Sequence, residues 1–199
     1  MKDIESTLDD IARLRDQLAA GSRFQGLAPG VVALTGGAAL GLGAWQAKAH
    51  SEDLFIWIIL AAMCAMAIGT EAIIRARRLH RSMADRMLNT TLNRFMPAAS
   101  AAGMTGMMVL LYAPEHSRFL PGIWQLLMGV GIFAMIASLP KQMVWAAGFY
   151  FASGTASLAL SVGDTPATAW LMGVPFGLGQ LLVAAILHRA STGASHGQK

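Results

Sequence analysis

Six apolar stretches, each close to the twenty residues a helix needs to cross a bilayer, fill nearly all of the chain after Gly26. They lie at about 26–47, 54–74, 96–113, 119–139, 143–162 and 167–188. In a bilayer, helices satisfy their own backbone hydrogen bonds, which a loop or an open sheet edge cannot do. The pattern therefore predicts an all-α fold, a polytopic bundle of six transmembrane helices. Composition agrees: 55% of the 199 residues are hydrophobic and 13% charged, against about 25% charged in ordinary soluble domains.

The basic residues orient the bundle. Of the fifteen Lys and Arg residues, four lie in residues 1–25, six in the connector 75–95, one at Lys141 and two in the tail. The opposite connections hold Lys48 and Arg118 only. Basic residues collect on the cytoplasmic side, so both termini are expected there, as an even number of spans requires. This distribution accounts for the net charge of +4 without nucleic acid, for which no recognition motif is present. The chain reads as a multi-pass protein of the bacterial inner membrane, with the lipid bilayer as its first partner.

Residues 1–25 form the expected soluble element. Ile4, Leu8, Ile11, Leu14 and Leu18 recur at helical spacing, with Asp3 as the N-cap and Gly21 as the stop. Five acids against four bases in this segment disfavour docking on anionic lipid, which selects Lys- and Arg-rich polar faces. Two readings stand: a helix covering the cytoplasmic end of the bundle, or a helix (residues 3–20) that engages a cytoplasmic protein partner. The connector 75–95 reads as a helical extension of the second span, broken near Asn89-Thr90-Thr91, and residues 189–199 as a disordered cytoplasmic tail.

Within the spans, small residues at four-residue spacing (Gly37 with Gly41, Ala99 with Gly103, Gly173 with Gly177) are expected to let helices approach closely, within one subunit or across a homo-oligomer. Pro29, Pro97 and Pro121 fall in first turns, where the missing N–H is harmless. Pro175 lies inside the sixth span and should release a carbonyl one turn earlier, with Gln180 beyond it. The five tryptophans (Trp45, Trp57, Trp124, Trp145, Trp170) sit near span ends, as interfacial belts do. Arg23-Phe24 with Arg94-Phe95, and Ile56-Trp57 with Ile123-Trp124, suggest a weak repeat of the helical hairpin.

Chemistry-bearing residues are few. Glu71 near the cytoplasmic end of the second span is either an i,i+4 partner of Arg75 or a coupling carboxylate for transport. The lone Cys64 is an apolar filler. No histidine or cysteine spacing suits a metal, no cofactor motif is present, and no serine lies near a base that would activate it. The expectation leans away from an enzyme.

The order of acidic amphipathic segment, Ser22-Arg23-Phe24, Gly-rich first span with Ala33-Leu34-Thr35-Gly36-Gly37, and an Ala137-Ser138-Leu139-Pro140-Lys141 turn resembles a group of small, largely uncharacterised bacterial six-span inner-membrane proteins. That resemblance implies the layout and no activity. Two functions are carried forward: a non-enzymatic binding or regulatory membrane module engaging a cytoplasmic partner, and a small-solute or ion transporter using Glu71, Arg75, Pro175 and Gln180.

Overall fold

The computed structural model describes residues 27–51, 53–79, 84–162 and 168–196. It is all-helical, with no strand among the described residues, and six of its helices are long and apolar enough to cross a membrane. We label them α1 (Pro29–Ala49), α2 (Phe55–Leu79), α3 (Ala84–Tyr112), α4 (Leu120–Met135), α5 (Met143–Leu160) and α6 (Thr168–His196). Short 3₁₀ turns, Pro114–Phe119 and Ile136–Ser138, flank α4. The segment 3–20, with Ile4, Leu8, Ile11, Leu14 and Leu18, lies outside the described residues.

Helix ends follow local chemistry. Pro29 opens α1 at a position with no N–H to satisfy, and His50 closes it in the left-handed conformation (φ 52°). Asp53 Oδ1 accepts the Phe55 N–H at 2.8 Å and starts α2. Three expectations are revised. The break near 89–91 does not occur, because α3 runs unbroken from Ala84 through these residues. Pro97 is consequently inside a helix, not in its first turn. Residues 190–196 extend α6 to His196, where the Ser191 and Thr192 hydroxyls bond back to the carbonyls of His188 and Arg189 within the helix.

Each helix neighbours the next in sequence, and α6 returns to α1, closing a ring. The most extensive interfaces are α1 with α6 and α4 with α5. Both are antiparallel and both are made by glycine. A Cβ on Gly43 would stand 2.9 Å from Gly173 Cα, and one on Gly36 would stand 2.9 Å from the Gly177 carbonyl oxygen. Across the second interface, a Cβ on Gly122 would stand 2.8 Å from the Gly154 carbonyl oxygen, and one on Gly154 would stand 3.0 Å from that of Gly122. Lipid tails are as apolar as leucine, so helices in a bilayer gain from close backbone approach more than from burial itself.

The expected pairing of Gly173 with Gly177 is thus realised, but on α1 it is Gly36 and Gly43 that meet it. A Cβ added at Gly37, Gly41 or Gly103 would meet nothing within 4 Å. One residue along a helix turns a side chain by about 100°, enough to move a four-residue pair from interface to outer surface. On α3 the inward small residue is Gly106, which receives the Trp124 ring.

Helices α2 and α3 stand at the periphery, exposing Met63, Met66, Met104, Met107 and Met108. One core cluster lies among α1, α4, α5 and α6, around Val32, Met143, Ala146, Ala147, Tyr150 and Leu187, and another joins Ala39, Leu54, Trp57, Leu120 and Met172. Arg75, Arg77, Arg78, Arg94, Lys141 and Arg189 share the end where α1, α3 and α5 begin, hereafter the basic end; Lys48 and Arg118 lie at the other.

Candidate functional site

Two polar clusters of the interior are each organised by a glutamine. Gln125 on α4 is fully buried. Its amide nitrogen donates to Ser157 Oγ on α5 (3.1 Å) and to the Leu171 carbonyl on α6 (2.8 Å), while Ser157 Oγ lies 3.4 Å from its oxygen. Leu171 is four residues before Pro175, and a proline has no N–H to give the carbonyl one turn back. Gln125 therefore supplies from a neighbouring helix the donor that Pro175 removes. The released carbonyl anticipated from the sequence is real, and it is used to fasten α6 to α4 and α5. Ser161, one turn beyond Ser157, continues the chain of contacts by donating to the Ser157 carbonyl (2.7 Å) and approaching that of Arg118 (2.9 Å).

Gln46, near the end of α1, is the second hub. Its side-chain oxygen accepts the Trp57 indole N–H at 2.6 Å and its amide donates to the Asp53 carbonyl at 2.8 Å. Its own carbonyl accepts the N–H groups of His50 and Ser51. One residue thus caps α1, holds the start of α2 and fixes the turn between them. Trp57 is only 4% exposed, so it is not part of a lipid-facing belt. Trp124 is also turned inward, donating to the Ala102 carbonyl on α3 at 2.9 Å. Trp45, Trp145 and Trp170, more than half exposed, remain in the positions a belt requires. Trp57 and Trp124 each tie an even-numbered helix back to the odd-numbered helix before it, Trp57 through the Gln46 side chain and Trp124 through the Ala102 carbonyl.

The inward glutamines were not singled out from the sequence. The signal was present as a repeated Gly-x-Trp-Gln, at Gly43-Ala44-Trp45-Gln46 and Gly122-Ile123-Trp124-Gln125. A glycine followed three residues later by glutamine puts a close-approach point and a long amide on one helix face.

The residues proposed for coupling or ligand contact divide between two places. Glu71 and Arg75 form an i,i+4 ion pair on α2 (Nε to Oε1, 3.2 Å), with side chains 33% and 43% exposed. Pro175 and Gln180 lie on α6, which has no extensive interface with α2. Gln180 packs beside Gly36 and approaches Tyr150. The Tyr150 phenol is fully buried under Phe149 and Phe176, against Gly179, and among the described residues its oxygen closes no hydrogen bond of good geometry. Thr35, Ser153 and Thr155 bond to carbonyls within their own helices, as short hydroxyl side chains in apolar helices do. Among the described residues, no group of three His, Cys, Asp or Glu side chains is placed to hold a metal ion.

No protein-family model, curated protein or solved structure matches the chain.

Proposed function

We propose that this chain is a non-enzymatic membrane module: a firmly packed inner-membrane bundle that presents its basic, cytoplasmic end to a protein partner, with segment 3–20 as the contact. The observation that carries this reading is the use of the interior amides. Gln46 and Gln125 are spent on fastening helices and capping backbone carbonyls. Arg77, Arg78 and Lys141, by contrast, are exposed at the basic end. A bundle organised this way is suited to holding a surface in place. Its test is deletion of residues 1–22 followed by affinity capture from solubilised native membranes. Insertion and unfolding midpoint should be unchanged and a specific partner lost; retention of that partner by the truncated protein would overturn the reading.

One observation favours the transport reading instead. The Tyr150 phenol lies beside Gln180 in the half of α6 that follows Pro175, a polar pair among α1, α5 and α6. Transporters place such groups where a helix is interrupted. Proton or cation flux in proteoliposomes that is abolished by Glu71→Gln would establish this reading over the first. Absence of flux, or flux indifferent to the substitution, would remove Glu71 from any mechanism.

A further inference from the structure

We infer that the outer face of α4 binds one anionic phospholipid, with its acyl chain along α4 and its phosphate between Arg94 and Lys141. The groove that would take the chain is apolar, about 380 Å³ in volume and open at the molecular surface, lined by Val130, Phe133, Ala134 and Phe151. Helical spacing fixes where it runs. Gly131 faces Phe95 and Ala98 of α3, and Gly129 faces Ala147 and Phe151 of α5. Val130, Phe133 and Ala134 occupy the remaining outward arc of α4, so the groove passes over α4 between α3 and α5. An open furrow of this kind cannot bury a small ligand as an enclosed pocket does, but it fits a hydrocarbon chain already in the bilayer.

The basic end of that groove is cationic on both sides. Ser138 lies one turn beyond Ala134, and Arg94 of α3 reaches it (Nη1 to Oγ, 3.2 Å). Arg94 makes no ion pair among the described residues; its partner there is a neutral hydroxyl. On the α5 side, Lys141 is exposed in the turn after Ser138. Trp145, 73% exposed one turn further, marks the level at which indoles meet headgroups. An open apolar furrow whose α4 wall leads within one turn to Ser138, with Arg94 on one side and Lys141 in the following turn, is complementary to a phosphate carrying an acyl tail. An acidic headgroup is favoured over a zwitterionic one, because the latter brings its own cation.

The full-length protein is reconstituted in vesicles of equal phosphatidylglycerol and phosphatidylcholine, extracted, and examined by native mass spectrometry. The expected result is preferential retention of one phosphatidylglycerol, with each cation worth about fivefold. R94Q/K141Q should reduce the preference about twenty-five-fold, while R77Q/R78Q, a matched loss of charge on α2, should leave it intact. Ala134→Trp should displace the lipid with both cations still present. Lys141→Gln alone, which keeps the Arg94–Ser138 bond and so the packing of α3 on the turn, should still lower retention. Equal retention of the two lipids by the native protein, an equal effect of the two double variants, or unchanged retention in Ala134→Trp or Lys141→Gln would each overturn the inference.

Discussion

Replacing Gln125 by leucine tests the assignment of Gln125 as the surrogate donor for Pro175. The substitution keeps the approximate volume and removes two donor bonds, to Leu171 O (2.8 Å) and Ser157 Oγ (3.1 Å). Hydrogen bonds between helices in bilayers average roughly 0.6 kcal/mol each. Leaving the Leu171 carbonyl without a donor in apolar surroundings adds about 1 kcal/mol, so the total loss is about 2 kcal/mol. The informative comparison is the same substitution in a Pro175→Ala background. Alanine in place of the proline restores an N–H to the helix, which can bond the Leu171 carbonyl internally. Gln125→Leu should then cost about 1 kcal/mol less than in the native chain, a coupling within the range seen between residues of one network. Equilibrium unfolding in mixed micelles, titrated with sodium dodecyl sulfate and followed by tryptophan fluorescence, gives all four corners of the cycle. Equal cost of Gln125→Leu in both backgrounds would refute the connection between the proline and the glutamine.

The glycine interfaces give a sharp contrast in the same assay. Gly43→Ala, whose methyl would meet Gly173 Cα at 2.9 Å and the Ala169 carbonyl at 3.0 Å, should cost about 1–3 kcal/mol. Gly37→Ala and Gly41→Ala, with open space around them, should stay within about 0.5 kcal/mol; the reverse ranking would mean α1 is rotated in the bundle. Trp57→Phe should cost about 1 kcal/mol through loss of the 2.6 Å bond to Gln46, and a neutral result would deny Gln46 its role as a hub. Glu71→Gln should change stability by less than about 0.5 kcal/mol, since the Glu71–Arg75 pair is partly exposed. A larger loss would show that the pair organises α2.

The six spans were legible in the sequence because the signal is one of length and hydropathy alone. The expected 54–74 and 143–162, for example, became Phe55–Arg75 and Met143–Leu160. Which way each helix faces was much less legible. In a soluble helix the apolar stripe marks the inside, but when lipid and core are equally apolar that contrast disappears. Gly36 and Gly37 are adjacent and chemically identical, and only the neighbouring helix distinguishes them. Gln46 and Gln125 are the exception that sequence reasoning could have used. A glutamine in a span needs a partner, and that need orients the helix. Pro175 was read correctly as far as its released carbonyl; the donor, far off in sequence on α4, required the fold. The Glu71–Arg75 pair was fully foreseeable, because it depends only on helical spacing.

In the proposed module the interior fastens helices and the basic end would recognise a partner, and one paired measurement tests that separation. Partner captured per folded molecule is compared for the native chain, Gln125→Leu and the chain lacking residues 1–22, with folded protein quantified by monodispersity in detergent. The expected result is undiminished capture by Gln125→Leu despite its lower stability, and loss of capture by the truncated chain. Capture that survives the truncation but falls with Gln125→Leu would contradict it, and would place recognition inside the bundle.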